Sequence, residues 1–332
     1  MTVKDDVLQM LEERRGEVLS GGETALALGV SRAAVWKAVA ALRAEGHRVE
    51  ASPGLGYSLG MDSDVLTEDG VRANLSADSA VRCVVCLDSV DSTNTYAKRL
   101  ALSGAEEGTL VVANRQTAGK GRRGHEFLSP PGTGLYMTLI LRPKQDIEQF
   151  QMITTAAGLS VCLAVEDLTS LQPRIKWVND VYLAGEDGVE RKVCGILTEA
   201  VSDVETGAVE SVVVGIGVNV MTRDFGPELE NTAGSLFPEG VGRARLAARI
   251  AEHLMDLAGR LGDPELIRLC RARSLLLGRR IRWMQDGRQC LGLAVDIDER
   301  GGLVVEPEGA VRISLRSGEV NEVRPLAGDR RL

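Results

Sequence analysis

Gln116-Thr-Ala-Gly-Lys-Gly-Arg-Arg-Gly124, entered from the apolar run Thr109-Leu-Val-Val-Ala113, decides how the middle of this chain is read. Its glycines, Gly119-x-Gly121-x-x-Gly124, have the spacing of a dinucleotide fingerprint and follow a strand-like run as that fingerprint requires. The rest of the fingerprint fails. Ser129-Pro-Pro-Gly132 breaks the chain where a helix should follow, and Lys120, Arg122 and Arg123 would crowd a loop meant to work through bare backbone amides. The stretch reads as a flexible loop that supplies its own positive charge. Glycine freedom lets it close over a ligand, and guanidinium groups pair bidentately with phosphate or carboxylate, which suits adenylate chemistry. A solvated basic turn is the plain alternative.

Outward from the loop, apolar runs alternate with helical patterns from about Val81 to Leu261. Strands are expected over Val81–Leu87, Thr109–Ala113, Gly134–Leu141, Arg174–Val178, Val193–Ala200 and Ser211–Val220, and helices over Thr95–Leu102, Ile147–Leu168 and Arg243–Arg260. After a short helix near Pro264–Leu275 the chain changes character. Short β runs separated by Asp286-Gly287, Arg300-Gly301-Gly302, Glu308-Gly309 and Ser317-Gly318 imply a small β-barrel.

The first sixty residues read as three helices and a hairpin. Ser31 caps a helix whose Val35, Ala38, Val39 and Leu42 recur as one apolar stripe, and His47 to Tyr57 forms a two-stranded wing, giving a winged helix-turn-helix. Ser31, Arg32, Ala33 and Lys37 are then the candidates to face a DNA major groove. This segment holds seven Lys/Arg against eight Asp/Glu, so few phosphates would be neutralised, and winged helices also serve as plain dimerisation modules.

At 332 residues the chain exceeds the comfortable size of one core. A formal net charge of -8 argues against a uniformly basic coat for nucleic acid or membrane. No signal peptide and no membrane span is read, and six scattered cysteines fit reduced thiols in a cytoplasmic protein. Cys83-Val-Val-Cys86 lies in an apolar run without a second pair, so it reads as strand, not metal site.

Four polar islands interrupt the strands of the middle segment: Asp91-Ser-Thr-Asn94, the basic glycine loop, Arg174-Ile-Lys-Trp-Val-Asn-Asp180 and Gly215-Ile-Gly-Val-Asn219. With Ser31 to Lys37, the Pro53-Gly-Leu-Gly-Tyr57 wing and Arg191-Lys-Val-Cys-Gly-Ile-Leu197, the chain resembles, over nearly its whole length, the biotin protein ligases fused to a biotin-operon repressor domain. The resemblance implies an α/β (α+β) catalytic domain of the biotin/lipoate ligase type over residues 63–275. A winged helix-turn-helix would occupy 1–62 and a small SH3-like β-barrel 276–332. It implies that biotin and MgATP give biotinyl-5'-adenylate and pyrophosphate, after which a lysine of a biotin carboxyl carrier protein takes the acyl group. The adenylate would also act as corepressor, promoting a homodimer on operator DNA.

Residue by residue, the resemblance implies that Arg122 and Lys176 are catalytic. Ser92, Thr93, Asn94, Gln116, Lys120, Gly121, Arg122, Lys176, Trp177 and Gly195 would hold biotin, and Arg122, Arg123, Lys176, Asn179 and Asn219 the nucleotide. Neutral donors and acceptors suit biotin's uncharged ureido head. Ser92 and Thr93 could instead merely start a helix. Lys176 stands inside an apolar strand, where a lysine needs a functional reason or must snorkel outward. Trp177 reads equally as pocket wall or core, and Asp180 as an orienter of Lys176, a ligand for Mg²⁺ or an ordinary turn residue. Three positions depart from the family pattern: Lys120 in place of arginine, Val178 in place of proline, and His125-Glu-Phe127 in place of a more basic segment ending in tryptophan. A biotin sensor without turnover and a lipoate ligase are the rival functions.

Overall fold

The computed structural model describes residues 2–61, 63–143, 150–202, 209–238, 240–316 and 320–325. Of the expected features, residues 147–149 of the long helix and the Ser317-Gly318 turn lie outside them.

The winged helix forms as expected, from α1 (Val3–Glu13), α2 (Gly21–Ala27), α3 (Arg32–Ala44), β1 (Val49–Ser52) and β2 (Gly56–Leu59). Ser31 caps α3 by accepting from the Ala34 amide at 3.2 Å, which satisfies one of the helix's orphan donors. The stripe Val35, Ala38, Val39 and Leu42 is buried against Val7, Leu8 and Leu11 of α1 in a core of its own. A short helix that periodicity did not flag, α4 (Glu68–Ala73), comes after the wing. Its Asp69, with Glu45, clasps Lys4 at 2.6 Å on each side and ties α1 to α4.

The middle of the chain is a mixed sheet of seven strands: β3 (Cys83–Leu87), β4 (Thr109–Ala113), β5 (Gly134–Leu141), β6 (Arg174–Lys176), β7 (Asp180–Ala184), β8 (Glu190–Ser202) and β9 (Val209–Asn219). They lie side by side as β3-β4-β5-β9-β8-β7-β6, and only β3 and β4 run parallel. Cys83 and Cys86 sit on regular β3 pairing positions and, three apart on a strand, point to opposite faces, which removes them as a ligand pair. Burial pushes the Cys86 thiol up to about 12. The expected strand Arg174–Val178 stops at Lys176, because the chain turns at 177–179 before Asp180 opens β7. The Trp177–Val178 peptide in that turn is cis.

Alternate strand residues feed two cores. Val111, Ile140 and Val213 pack with Ala97 and Ala101 of α5 (Thr93–Leu102), whereas Leu110, Val112, Leu139, Val212 and Val214 join the larger core with α6 (Phe150–Leu168) and α7 (Arg243–Gly259). That larger core runs on through α8 (Pro264–Arg273) into a five-stranded antiparallel sheet of β10 (Arg280–Gln285), β11 (Arg288–Ile297), β12 (Leu303–Pro307), β13 (Ile313–Leu315) and β14 (Val320–Pro325). Its order, β13-β12-β11-β10-β14, gives the SH3-like C-terminal unit. Among the described residues no single helix is long and apolar enough to cross a membrane.

Arg243 joins the segment after the wing to the central sheet. Its side chain is 4% exposed, and its guanidinium donates to Asp64 at 2.6 Å, to Asn114 at 2.9 Å and to the Gly134 carbonyl of β5 at 3.2 Å. Arg243→Met would leave Asp64 without its cation. We expect a loss of about 2–3 kcal/mol in urea unfolding, short of the range for a fully buried pair because the Asp64 side chain is 28% exposed. A loss below about 1 kcal/mol would show that water replaces the pair at little cost.

Candidate active site

On the α5 face of the sheet, three glycines make a bare patch. Gly215 and Gly217 of β9 stand opposite Thr138 and Tyr136 of β5 on one side and Leu197 and Gly195 of β8 on the other. The patch cannot carry side chains. A Cβ on Gly215 would lie 2.0 Å from the Asn94 side-chain oxygen, and one on Gly217 would lie 2.6 Å from the Phe127 ring.

Above the patch, Ser92, Thr93, Asn94 and Gln116 come together at the N-terminus of α5. Ser92 is the N-cap residue, yet its hydroxyl makes no capping bond, which leaves it to the cavity it lines. Thr93 donates through both its amide and its hydroxyl to Gln116 Oε1, at 2.8 and 3.1 Å. The fully buried Thr138 hydroxyl lies 2.8 Å from that of Thr93 and donates to Asn94 Oδ1 at 2.7 Å. Asn94 Nδ2 donates to the Leu197 carbonyl at 3.0 Å and to Glu199 at 2.8 Å, and Glu199 also pairs with Lys98 at 2.5 Å. Burial alone would raise the Glu199 carboxyl, but the bonds from Lys98 and Asn94 outweigh it and hold it below its ordinary value. The network fixes Thr93, Asn94 and Gln116 on this wall.

These side chains, with Lys120, Gly121, Arg122, Asn179 and Gly195, line a narrow cavity of about 50 Å³. Arg122 reaches it from the short 3₁₀ turn Arg122–Gly124 and donates to Asn179 Oδ1 at 3.2 Å. Burial, then the neighbouring Arg123 cation, push the Arg122 guanidinium below its ordinary value while Asp180 pulls the other way. Lys120 donates to Thr95 at 2.9 Å. Arg123 is exposed, with φ of 59°, and lines none of the cavities described.

A second, wider cleft of about 530 Å³ opens alongside, lined by Lys176, Asp180, Tyr182, Glu190, Asn219 and Leu229 among others. Lys176 therefore lies apart from the narrow cavity, with its ammonium 3.3 Å from the Tyr182 hydroxyl. Trp177 is farther removed. It is 5% exposed, its indole donates at 2.9 Å to the Gly301 carbonyl in the turn between β11 and β12, and it lines neither space. Asn219 lines the wide cleft and donates to the Gly234 carbonyl at 3.0 Å. Asp180 pairs with Lys192 at 2.7 Å.

Among the described residues, only two side chains line both spaces, Phe127 and Lys192. Sequence reading gave Lys192 no role, because it stands behind Glu190 and Arg191, just before the strand expected from Val193; the structure starts that strand at Glu190 and so places Lys192 within it. Register decides between Lys192 and Lys176: β8 lies beside β9 and its glycines, whereas β6 is the edge strand beyond β7. The Glu126-Phe127 segment comes directly after the basic loop, and the Phe127 ring partitions the two spaces.

In the N-terminal unit, Ser31 is spent on its cap and the Arg32 guanidinium folds back over Gly22 of α2, where a Cβ would meet its Nη2 at 2.7 Å. Ala33 and Lys37 are exposed.

Residues 86–219 match the biotin/lipoate A/B protein ligase family, residues 4–58 an HTH domain and residues 276–321 the biotin protein ligase C terminal domain. The bifunctional ligase/repressor BirA of Bacillus spizizenii is 33% identical over 319 residues, 94% of this chain and 96% of that protein. The bifunctional ligase/repressor BirA of Escherichia coli is 29% identical over 92% of this chain and 95% of its own length. A biotin protein ligase from Aquifex aeolicus, solved in complex with biotin and ATP, superposes with a TM-score of 0.62 at 28% identity, covering 74% of this chain and all of that one.

Gly215→Ala would force Asn94 off its three partners. We expect a cost of about 1–3 kcal/mol in unfolding free energy from overpacking. Unchanged stability would mean that the wall relaxes freely.

Proposed function

This chain belongs to the family of bifunctional biotin protein ligase/repressors, and we propose that its ligase chemistry takes place where the narrow cavity and the wide cleft meet, between Lys192 and Phe127. Biotin takes the narrow end, its ureido ring among Ser92, Thr93, Asn94 and Gln116 and its valeryl chain along the glycine patch. ATP takes the wide cleft, toward Asn219. The observation that carries this assignment is that, among the described residues, Lys192 alone of the cations borders both spaces.

In the first half-reaction a biotin carboxylate oxygen attacks the α-phosphorus, the bond to the β-phosphate oxygen breaks, and pyrophosphate leaves. Two anions must be brought together, and Lys192 and Arg122 offset their repulsion and the charge that builds as they join. Asp180, 2.7 Å from Lys192, holds that ammonium in place. Lys176 and Tyr182 face the part of the cleft suited to the departing phosphates. Lys120 and Arg123 belong to the loop that closes over the adenylate and keeps water from it. In the second half-reaction the amine of a carrier lysine attacks the acyl carbon, AMP leaves, and the amine loses a proton. Among the described residues no group of three or more His, Cys, Asp or Glu is placed to hold a metal by itself, so Mg²⁺ enters as the complex of the nucleotide's phosphates.

The N-terminal HTH unit makes the chain a DNA-binding repressor, with biotinyl-adenylate as corepressor and a homodimer as the form that spans a two-part operator. The cytoplasm is the proposed compartment. The HTH and C-terminal domain matches favour a biotin ligase over a lipoate ligase.

Pyrophosphate release from biotin and ATP tests the site. Lys192→Ala is expected to slow it at least about 100-fold, as loss of a charge-stabilising donor does, and Lys176→Ala by less than about tenfold. The reverse ranking would return the role to Lys176. Sedimentation of the protein with and without biotin plus MgATP tests the regulation: a dimer constant that stays the same would refute adenylate as corepressor.

A further inference from the structure

α3 turns outward a stripe of Ala33, Trp36, Lys37 and Ala40, opposite the buried stripe that holds it in place. Trp36 is 61% exposed, the only tryptophan among the exposed large apolar side chains of the described residues. A helix face turned to water ordinarily carries charge of both signs. This one carries no carboxylate, and the indole stands one turn from an alanine on either side, so a large ring rises from shallow surroundings.

Charge does not supply what a duplex would need for tight binding. Of the seven cations in residues 1–60, Lys4 is paired with Glu45 and Asp69, Arg14 with Glu17 and Arg15 with Glu12, and Arg43 donates to the Val49 carbonyl. Arg32 lies over Gly22. With phosphate neutralisation this limited, contacts to bases must contribute a larger share of recognition. The major groove displays one apolar group, the thymine 5-methyl.

We propose that Trp36 reads thymine methyl groups in the major groove and is a specificity-determining residue for the operator, with Ala33 and Ala40 small enough to let the helix seat. The proposal rests on the DNA-binding reading of the N-terminal unit. Lys37 beside the indole suits an anionic partner. Two copies of the chain meeting on this stripe would instead bring lysines together with no acid between them.

The test is selection from a randomised duplex pool by the full-length protein with biotin and MgATP, run in parallel with Trp36→Ala. The wild type should enrich a motif with fixed thymines, and the variant should lose preference at those positions. Replacing the same thymines by deoxyuridine, which removes only the methyl, should weaken the wild type about fourfold per thymine, from roughly 0.8 kcal/mol per buried methyl, and leave the variant indifferent. An unchanged circular dichroism spectrum and melting curve check that the variant, its separate N-terminal core included, is folded. An identical motif from the variant, or a wild type indifferent to deoxyuridine, overturns the proposal while leaving DNA binding intact. If the variant binds no duplex, the deoxyuridine result on the wild type decides. A variant that loses dimer formation at the parent's DNA preference makes the stripe a contact between copies and also overturns it. A wild type that enriches nothing removes the DNA reading and this proposal together.

Discussion

Three missing Cβ atoms govern the architecture of the site. Gly195, Gly215 and Gly217 leave the middle of a seven-stranded sheet bare on one face, and everything around them is arranged for close approach to backbone. A glycine in a strand forfeits packing and conformational entropy, a cost that ordinary core strands avoid. Here the neighbouring strands compensate, since β5 and β9 are buried along most of their length and the opposite face of the sheet joins the largest apolar core. The bare patch lets Asn94 reach the Leu197 carbonyl across the sheet and lets the Phe127 ring sit where side chains would otherwise stand.

Much of this was legible in the sequence because local physics wrote it there. Ser31 before an apolar stripe specifies a capped helix whatever the rest of the chain does, and the Ser129-Pro-Pro-Gly132 break kept the basic loop from being taken as a Rossmann turn. Ser92, Thr93, Asn94, Gln116, Gly121, Arg122, Asn179 and Gly195 do line one cavity. What could not be read was register. Lys176 and Lys192 both lie within strands, and only the order β9-β8-β7-β6 places one near the glycines and the other on the edge. Trp177 obeys the same logic: a tryptophan in a strand-like run has two plausible destinations, and the one it takes is marked by Gly301, far along the chain, whose carbonyl accepts from both its indole and Gln151.

The three units of the chain are joined by partly buried polar contacts, to which the C-terminal unit adds the apolar core it shares with the central sheet. Arg243 holds the segment after the wing to β5, at the residue that pairs with Asn219. Glu190 of β8 is gripped by Arg174 at 3.1 Å and Arg279 at 2.8 Å, linking the strand that carries Lys192 to the start of the C-terminal sheet. Polar links of this kind are geometrically exacting, so displacement at one end is passed to the other as a change of pairing and not absorbed as slack.

Phe127 has a consequence for the order of events. The ring that fills the space over Gly195 and Gly217 and the cations Lys120, Arg122 and Arg123 ride on one continuous loop, pinned at its base where the Phe127 amide donates to Gly119 at 2.9 Å. Vacating the slot and repositioning the charge are therefore one movement. A molecule running along the glycines would have to displace the ring, and in doing so would carry the cations of the loop with it.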